Sequence, residues 1–394
     1  MRFSTSWLLC LGLAVLHFPT DLSAQGSGID DSTVVFGQSA AFFGPAAELG
    51  KELRLGLEAA FFEANANGGI NGRRVRLVSI DDGYEPGRAI ANTRELIEKK
   101  GVFALIGAVG TPTSRSAAPI AAEFGIPFVA PFTGADFLRN ADKLPNVVNL
   151  RASYQQEINE MVERLITDRG ITKIGILYQN DSFGRSGLQG LVSSLNSRGL
   201  ELAASSTYSR NTTAVKTAVI DLRLDDPGGV VIVGAYKPAA AAIKWANEIG
   251  FNPVFFNISF VGSRALVREL GNDMEDVFMT QVMPDYLAED IEIAVRYRQA
   301  LTQMWPGAAM GFSSFEGYVA GRMALEALEG CGENPDRECF RRRFSDPEPM
   351  DLGGLILQFG GGDNQGLDLV FLTRLGNKRD FEPIGSIGVQ EGAR

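Results

Sequence analysis

The residues best placed to do chemistry are the hydroxyls of Thr111, Thr113 and Ser114, in 107-GAVGTPTSRSAAPIAAEFGIPFVAP-131. Small residues run from a short apolar segment straight into a helical pattern. A strand end feeding a helix start presents unpaired N–H groups and the positive end of the helix dipole. Hydroxyls at that junction add donors, and the sum suits one carboxylate. Hydroxyls there also act as ordinary helix caps, so the stretch alone leaves both roles open. A nucleotide phosphate fits poorly. The stretch lacks the Gly-Lys-Ser/Thr ending of a phosphate loop and has no basic cluster beside it. The first strand–helix turn, 37-GQSAAFFGP-45, lacks G-x-G-x-x-G.

Catalysis finds little support. The only histidine, His17, lies in a segment that reads as an export signal: Arg2, the apolar run 7-WLLCLGLAVL-16, and the small-residue site 22-LSA-24 before Gln25. Cleavage near Ala24 leaves no imidazole, which removes His-dependent triads and His-ligated metal sites. No cofactor is expected. Asp81 and Asp82, followed by Gly83, read as a turn at a strand end rather than as a pair of glycosidase acids. The remaining cysteines, Cys331 and Cys339, flank the turn-rich 331-CGENPDREC-339. In an exported chain they read as a local disulfide. The net charge of −10 and the absence of a basic stripe make nucleic acid and anionic membranes poor partners.

Strand and helix patterns alternate along most of the chain. The first series runs from 33-TVVFGQS-39 to 126-IPFVAP-131, and the second from 154-YQQEINEMVERLITDRG-170 to 253-PVFFN-257. Continuous apolar strands between helices predict parallel sheets covered on both faces. The fold class is therefore α/β, with two doubly wound parallel-sheet lobes. The helical stretch after residue 280 is expected to return to the first lobe. Phe42, Phe43, Phe132, Tyr154, Phe183 and Tyr236 all fall after predicted strands, the edge at which open α/β sheets bind ligands. Together they predict an aromatic-lined cleft.

Three segments carry a resemblance. They are 37-GQSAAFFGPAAELGKELRLGLEAAFFEANANGGINGRRVRLVSIDDG-83, 106-IGAVGTPTSRSAAPIAAEFGIPFVAP-131 and 178-YQNDSFGRSG-187. With them the chain resembles the type I periplasmic solute-binding proteins of ABC importers, in particular the leucine/isoleucine/valine-binding group. The resemblance implies a bilobed monomer with a three-crossing hinge near 147–151, 280–284 and 351–355. The first lobe would hold 25–149 and 281–352, the second 150–280 and 353–394. A small carboxylate or amino-acid-like solute would bind between the lobes, and the closed form would meet a membrane permease. A periplasmic sensor that presents the closed form to a receptor kinase is the alternative. Thr111 falls where the family holds an α-carboxylate, and Phe132, Thr133 and Gly134 fall where it faces an α-ammonium. Phe183 and Tyr236 take aromatic positions of the second lobe. Two departures stand out: Gly134 replaces a hydroxyl residue, and Ser259 replaces an acid. Either Asp136 or Asp285 substitutes for that acid, or the ligand has no ammonium, which is the expectation favoured here.

Overall fold

The computed structural model describes residues 28–271, 276–376 and 381–388. The expected export segment, with its expected cleavage near Ala24, lies outside them. The first series comprises β1 (Thr33–Ala40), α1 (Ala47–Ala66), β2 (Arg74–Asp81), α2 (Pro86–Arg94), β3 (Ala104–Ile106), α3 (Thr111–Glu123), β4 (Phe128–Val129) and β5 (Val147–Val148). The second comprises α4 (Tyr154–Arg169), β6 (Ile174–Gln179), α5 (Ser182–Asn196), β7 (Ala204–Tyr208), α6 (Lys216–Asp225), β8 (Gly229–Val233), α7 (Tyr236–Glu248), β9 (Val254–Asn257), α8 (Ser263–Leu270) and β10 (Val277–Gln281). The chain then forms α9 (Glu292–Met304), α10 (Phe312–Glu329), α11 (Arg337–Arg342), the short strands β11 (Met350–Asp351) and β12 (Ile356–Leu357), and finally β13 (Phe371–Leu375) and β14 (Phe381–Ile384).

Each series builds its own sheet. The first has the order β2-β1-β3-β4-β5, and every pairing is parallel. The second has the order β7-β6-β8-β9-β10-β13-β14, parallel except for the β10–β13 and β13–β14 pairings. In both, the strand order reverses beside the first strand of the series. That reversal opens a crevice at the strands' carboxyl ends, and the two crevices face each other.

Side-chain alternation explains why inner strands such as β3 and β8 are apolar throughout. Phe36, Ile106 and Val129 point into a core shared with α1, α9 and α10, whereas Leu105, Phe128 and Val147 point into one shared with α3. A strand buried on both faces has no polar side to show. Leu49, Leu53, Leu57 and Phe61 form the buried stripe of α1, which lies along α10. The helical section therefore completes the first lobe. Within it, Cys331 and Cys339 are joined by a disulfide.

The third crossing differs from the sequence expectation. Leu355, Leu357, Phe359 and Leu367 pack in the first lobe's core rather than in the second lobe. Leu367 N–H donates to the Leu150 carbonyl, and Gly366 N–H to that of Asn149. The chain joins the second sheet only at Phe371, so the crossing lies after Leu367 and not near 351–355. The turn-rich 360-GGGDNQG-366 hid this, because a glycine-rich loop carries no hydrophobic period to show which lobe it serves. No helix among the described residues is long and apolar enough to cross a membrane.

Candidate functional site

Helix α3 starts at Thr111 because Gly110 turns the chain there at φ +101°, a conformation that disfavours any side chain. Thr111 is wholly buried. Its Oγ1 lies 2.7 Å from Thr133 Oγ1 and 3.5 Å from the Tyr154 hydroxyl. Three hydroxyls from three separate segments thus converge at a helix N-terminus. Ser114, one turn along, has a buried Oγ with no hydrogen-bond partner. Thr113 does not join them. Its hydroxyl donates back to the carbonyls of Val109 and Gly110, a bond that spends its proton within the chain and is not a helix cap, and this corrects its expected place among the ligand donors.

The missing hydroxyl at Gly134 has a steric cause. A Cβ there would lie 2.6 Å from Tyr154 Cδ1 and 2.7 Å from Tyr154 N, whose N–H donates to the Gly134 carbonyl. The start of α4 packs too closely for any side chain. Thr133, one residue earlier, brings the hydroxyl to the same cluster instead.

Aromatic rings enclose the hydroxyls. Phe260 lies at the centre, with ring centroids 4.6 Å from Phe183, 5.6 Å from Phe132 and 6.1 Å from Tyr84. Tyr154 lies 5.4 Å from Phe183. The second lobe contributes Phe260 and Phe183, so this cluster bridges the lobes. Phe42 sits beneath the Arg54 guanidinium at 4.4 Å and not among these rings. Phe43 is 73% exposed and makes no contact with these rings, which corrects its expected place in the ring cluster. Tyr236 is buried at the start of α7 beside Glu48 of α1, and burial pushes its phenol up to about 12. Tyr84 and Phe260 escaped sequence reasoning. Tyr84 sits in a stretch that reads as a plain turn, and Phe260 follows the last predicted strand.

An acid from α4, Glu157, reaches Ser259. Both the N–H and the Oγ of Ser259 donate to Glu157, at 2.9 and 3.0 Å, and Thr280 Oγ1 donates to it at 2.6 Å. Burial raises the Glu157 carboxyl above its ordinary value, while nearby Arg151 and these donors pull it down. Asp136 and Asp285, the expected substitutes, do other work. Asp136 lies in a short turn with Arg139, and Asp285 caps the N–H of Leu287. A signal for Glu157 was present: it falls on the buried stripe of α4 with Tyr154, Ile158 and Met161.

Arg151, at the first crossing, is also buried. Its Nε and Nη2 donate to the two oxygens of Glu316 at 2.8 and 2.7 Å, and its guanidinium lies 4.2 Å over the Phe132 ring. Burial opposes its charge, but the Glu316 carboxylate, helped by Glu157 and Tyr154, holds the group above its ordinary value. Further out, polar pairs join the lobes. Arg210 reaches Glu85 at 2.7 Å, Asn211 Nδ2 donates to the Gly83 carbonyl at 3.2 Å, and Arg268 reaches Glu48 at 2.5 Å. Among the described residues no cluster of His, Cys, Asp and Glu could hold a metal ion.

Comparison with known proteins agrees with this fold. The family profile described as "Periplasmic binding protein" matches residues 33–380. Leu/Ile/Val-binding protein homolog 8 of Brucella abortus is 29% identical over 344 residues, which cover 83% of this chain and 84% of that protein. Homolog 7 of the same organism is 27% identical over 253 residues, and the match spans only 61% of its length. Among solved structures, a possible leucine/isoleucine/valine-binding protein from Rhodopirellula baltica is 34% identical, with a TM-score of 0.86, covering 93% of this chain and 98% of that one. Its two parallel-sheet lobes have the type I periplasmic binding protein fold, and the chain belongs to the periplasmic binding protein family, the Leu/Ile/Val-binding group included.

Proposed function

We propose that this chain is an exported substrate-binding protein that captures a small carboxylate between its lobes and delivers it to the membrane permease of an ABC importer. The observation that carries this reading is the convergence of Thr111, Thr133 and Tyr154 hydroxyls at the start of α3, roofed by rings from both lobes. A carboxylate placed there meets hydroxyl donors and the positive end of the helix dipole. The rings take an apolar or aromatic body.

A second reading, an amino acid as ligand, draws on Glu157. A buried ammonium needs an acidic partner, and Glu157 is a buried acid beside Ser259. The relatives named for leucine, isoleucine and valine favour it as well. Against it, three donors already engage the Glu157 carboxylate. Titration calorimetry with leucine and with 4-methylpentanoate separates the two, because these share a body and differ in the ammonium. We expect 4-methylpentanoate to bind at least as tightly as leucine. Leucine binding tenfold or more tighter, and losing that margin in Glu157→Gln, overturns the ammonium-free reading.

A further inference from the structure

We propose that Tyr84 and Phe260 form a two-part wall, one ring from each lobe, that sets the longest ligand body the cleft accepts. The proposal rests on the reading that the ligand's polar end meets Thr111.

Tyr84 occupies a costly conformation. Its φ is +62°, in the left-handed region that a bulky side chain rarely adopts. The Asp82 carboxylate holds it there by accepting its N–H at 2.8 Å. Strain of this kind persists where the surrounding structure enforces it, and it clusters at ligand clamps. The conformation sends the ring away from its own lobe's core and across the cleft. There the hydroxyl accepts from Gln179 Nε2, at the end of β6 in the opposite lobe, at 3.3 Å.

The ring comes to rest on Gly110. A Cβ at that position would fall 2.1 Å from Tyr84 Cε2, so Gly110 and Tyr84 are a matched pair. Gly110 is the residue just before Thr111, which puts the Tyr84 ring one residue from the hydroxyl cluster. Its other neighbour is Phe260, which also touches Phe132 and Phe183. A ligand body growing away from Thr111 meets Tyr84 on its own lobe and Phe260 on the facing one. Tyr84 is 1% exposed, and its hydroxyl meets the Asp181–Arg210 ion pair only through Gln179, so what its ring presents beside Thr111 is shape.

The test uses purified full-length mature protein and three probe series of equal chain lengths: straight-chain monocarboxylates from propanoate to octanoate, the matched primary amides, and the matched 2-amino acids. Melting shifts and titration calorimetry are read for wild type, Tyr84→Phe, Tyr84→Ala and Phe260→Ala. In the series that binds, wild type shows a length of tightest binding, and Tyr84→Phe keeps it. In Tyr84→Ala the maximum moves to longer chains, and a probe two methylenes past the wild-type maximum binds about tenfold tighter than it does to wild type. Phe260→Ala moves the maximum the same way and carries the test if Tyr84→Ala fails to fold by circular dichroism. An unmoved maximum in the folded alanine variants overturns the wall. Carboxylate binding with an unmoved maximum removes the wall and leaves the carboxylate reading intact. Amide binding alone, with a moved maximum, does the reverse. A wild type that binds no probe in any series overturns both.

Discussion

Two polar clusters lie close together at the base of the cleft and differ in how fully their hydrogen bonds are used. On the hinge side, Arg151 and Glu316 form a two-point ion pair, and Glu157 accepts from Ser259 twice and from Thr280 once. On the loop side, the Thr111, Thr133 and Tyr154 hydroxyls have mainly one another, and Ser114 Oγ has no partner. Buried polar groups normally find partners. The first cluster meets that rule largely within the protein, whereas the second keeps donors in reserve. Reserve capacity marks a ligand site better than charge does, since the charged cluster is the self-contained one. Arg151 Nη1, which has no partner, is the point at which the contrast is open to attack.

The largest expected effect tests the hinge cluster. Arg151→Met leaves Glu316 buried without its counter-charge, and breaking a buried pair from one side costs about 3–5 kcal/mol. Urea denaturation of the ligand-free protein should show that loss, and Arg151→Met/Glu316→Leu should recover most of it. A variant of normal stability that no longer binds solute would place Arg151 in the ligand site and dissolve the contrast.

Asp82 lies between these extremes, fully buried on the far side of the same loops. It accepts from Ser39 Oγ at 2.9 Å and from the Tyr84 N–H at 2.8 Å. Burial pushes its carboxyl from 3.8 up to about 6, against the pull of those donors. Between these two values the folded chain holds more protons than the unfolded one, so this contribution to stability is present at low pH and lost as pH rises to about 6. Asp82→Asn should flatten that fall and leave the variant at most ~3 kcal/mol more stable than wild type at neutral pH. Parallel pH–stability curves for the two proteins would mean that the carboxylate stays ionised in the folded state.

These clusters also show what the sequence displays and what it hides. Thr111 was legible because a strand end, a glycine and a helix start form a local pattern. Both sheets were legible because strands buried on two faces are apolar without a break. Glu157, Glu316 and Arg151 were harder, since each is one polar residue whose partner lies far off in the chain: Arg151 and Glu316 are 165 residues apart. Tyr84 was illegible because 81-DDGYEP-86 has the composition of a solvated turn, and only the folded contacts show its ring crossing to the other lobe. Gly134 was legible as an anomaly but not as a cause, because the Tyr154 backbone that excludes a side chain there arrives from the hinge.

The loop cluster carries the next prediction. Thr111→Ala removes a hydroxyl that is one of three, so it should weaken solute binding by about 1–3 kcal/mol, the scale of a hydrogen bond to a charged group. Calorimetry reads the affinity, and the melting temperature of the ligand-free protein reads the fold. A large fall in melting temperature with unchanged affinity would make the hydroxyls a structural network like the hinge cluster.

The smallest effect belongs to the rim. Arg210 meets both Glu85 of the first lobe and Asp181 of its own, with its side chain 23% exposed and that of Glu85 45% exposed. Solvated pairs of this kind contribute about 0.2–1 kcal/mol. Arg210→Gln should therefore speed solute release by no more than about fivefold, as 1 kcal/mol permits. High salt screens exposed charges, so the gap between variant and wild type should close as salt approaches about 1 M. Stopped-flow release measured at low and high salt gives both numbers. Release faster by tenfold or more, and insensitive to salt, would mean that closure is held at the rim and not by the rings and hydroxyls inside. The contrast between a self-contained hinge cluster and a receptive loop cluster would then no longer explain how the lobes retain a ligand.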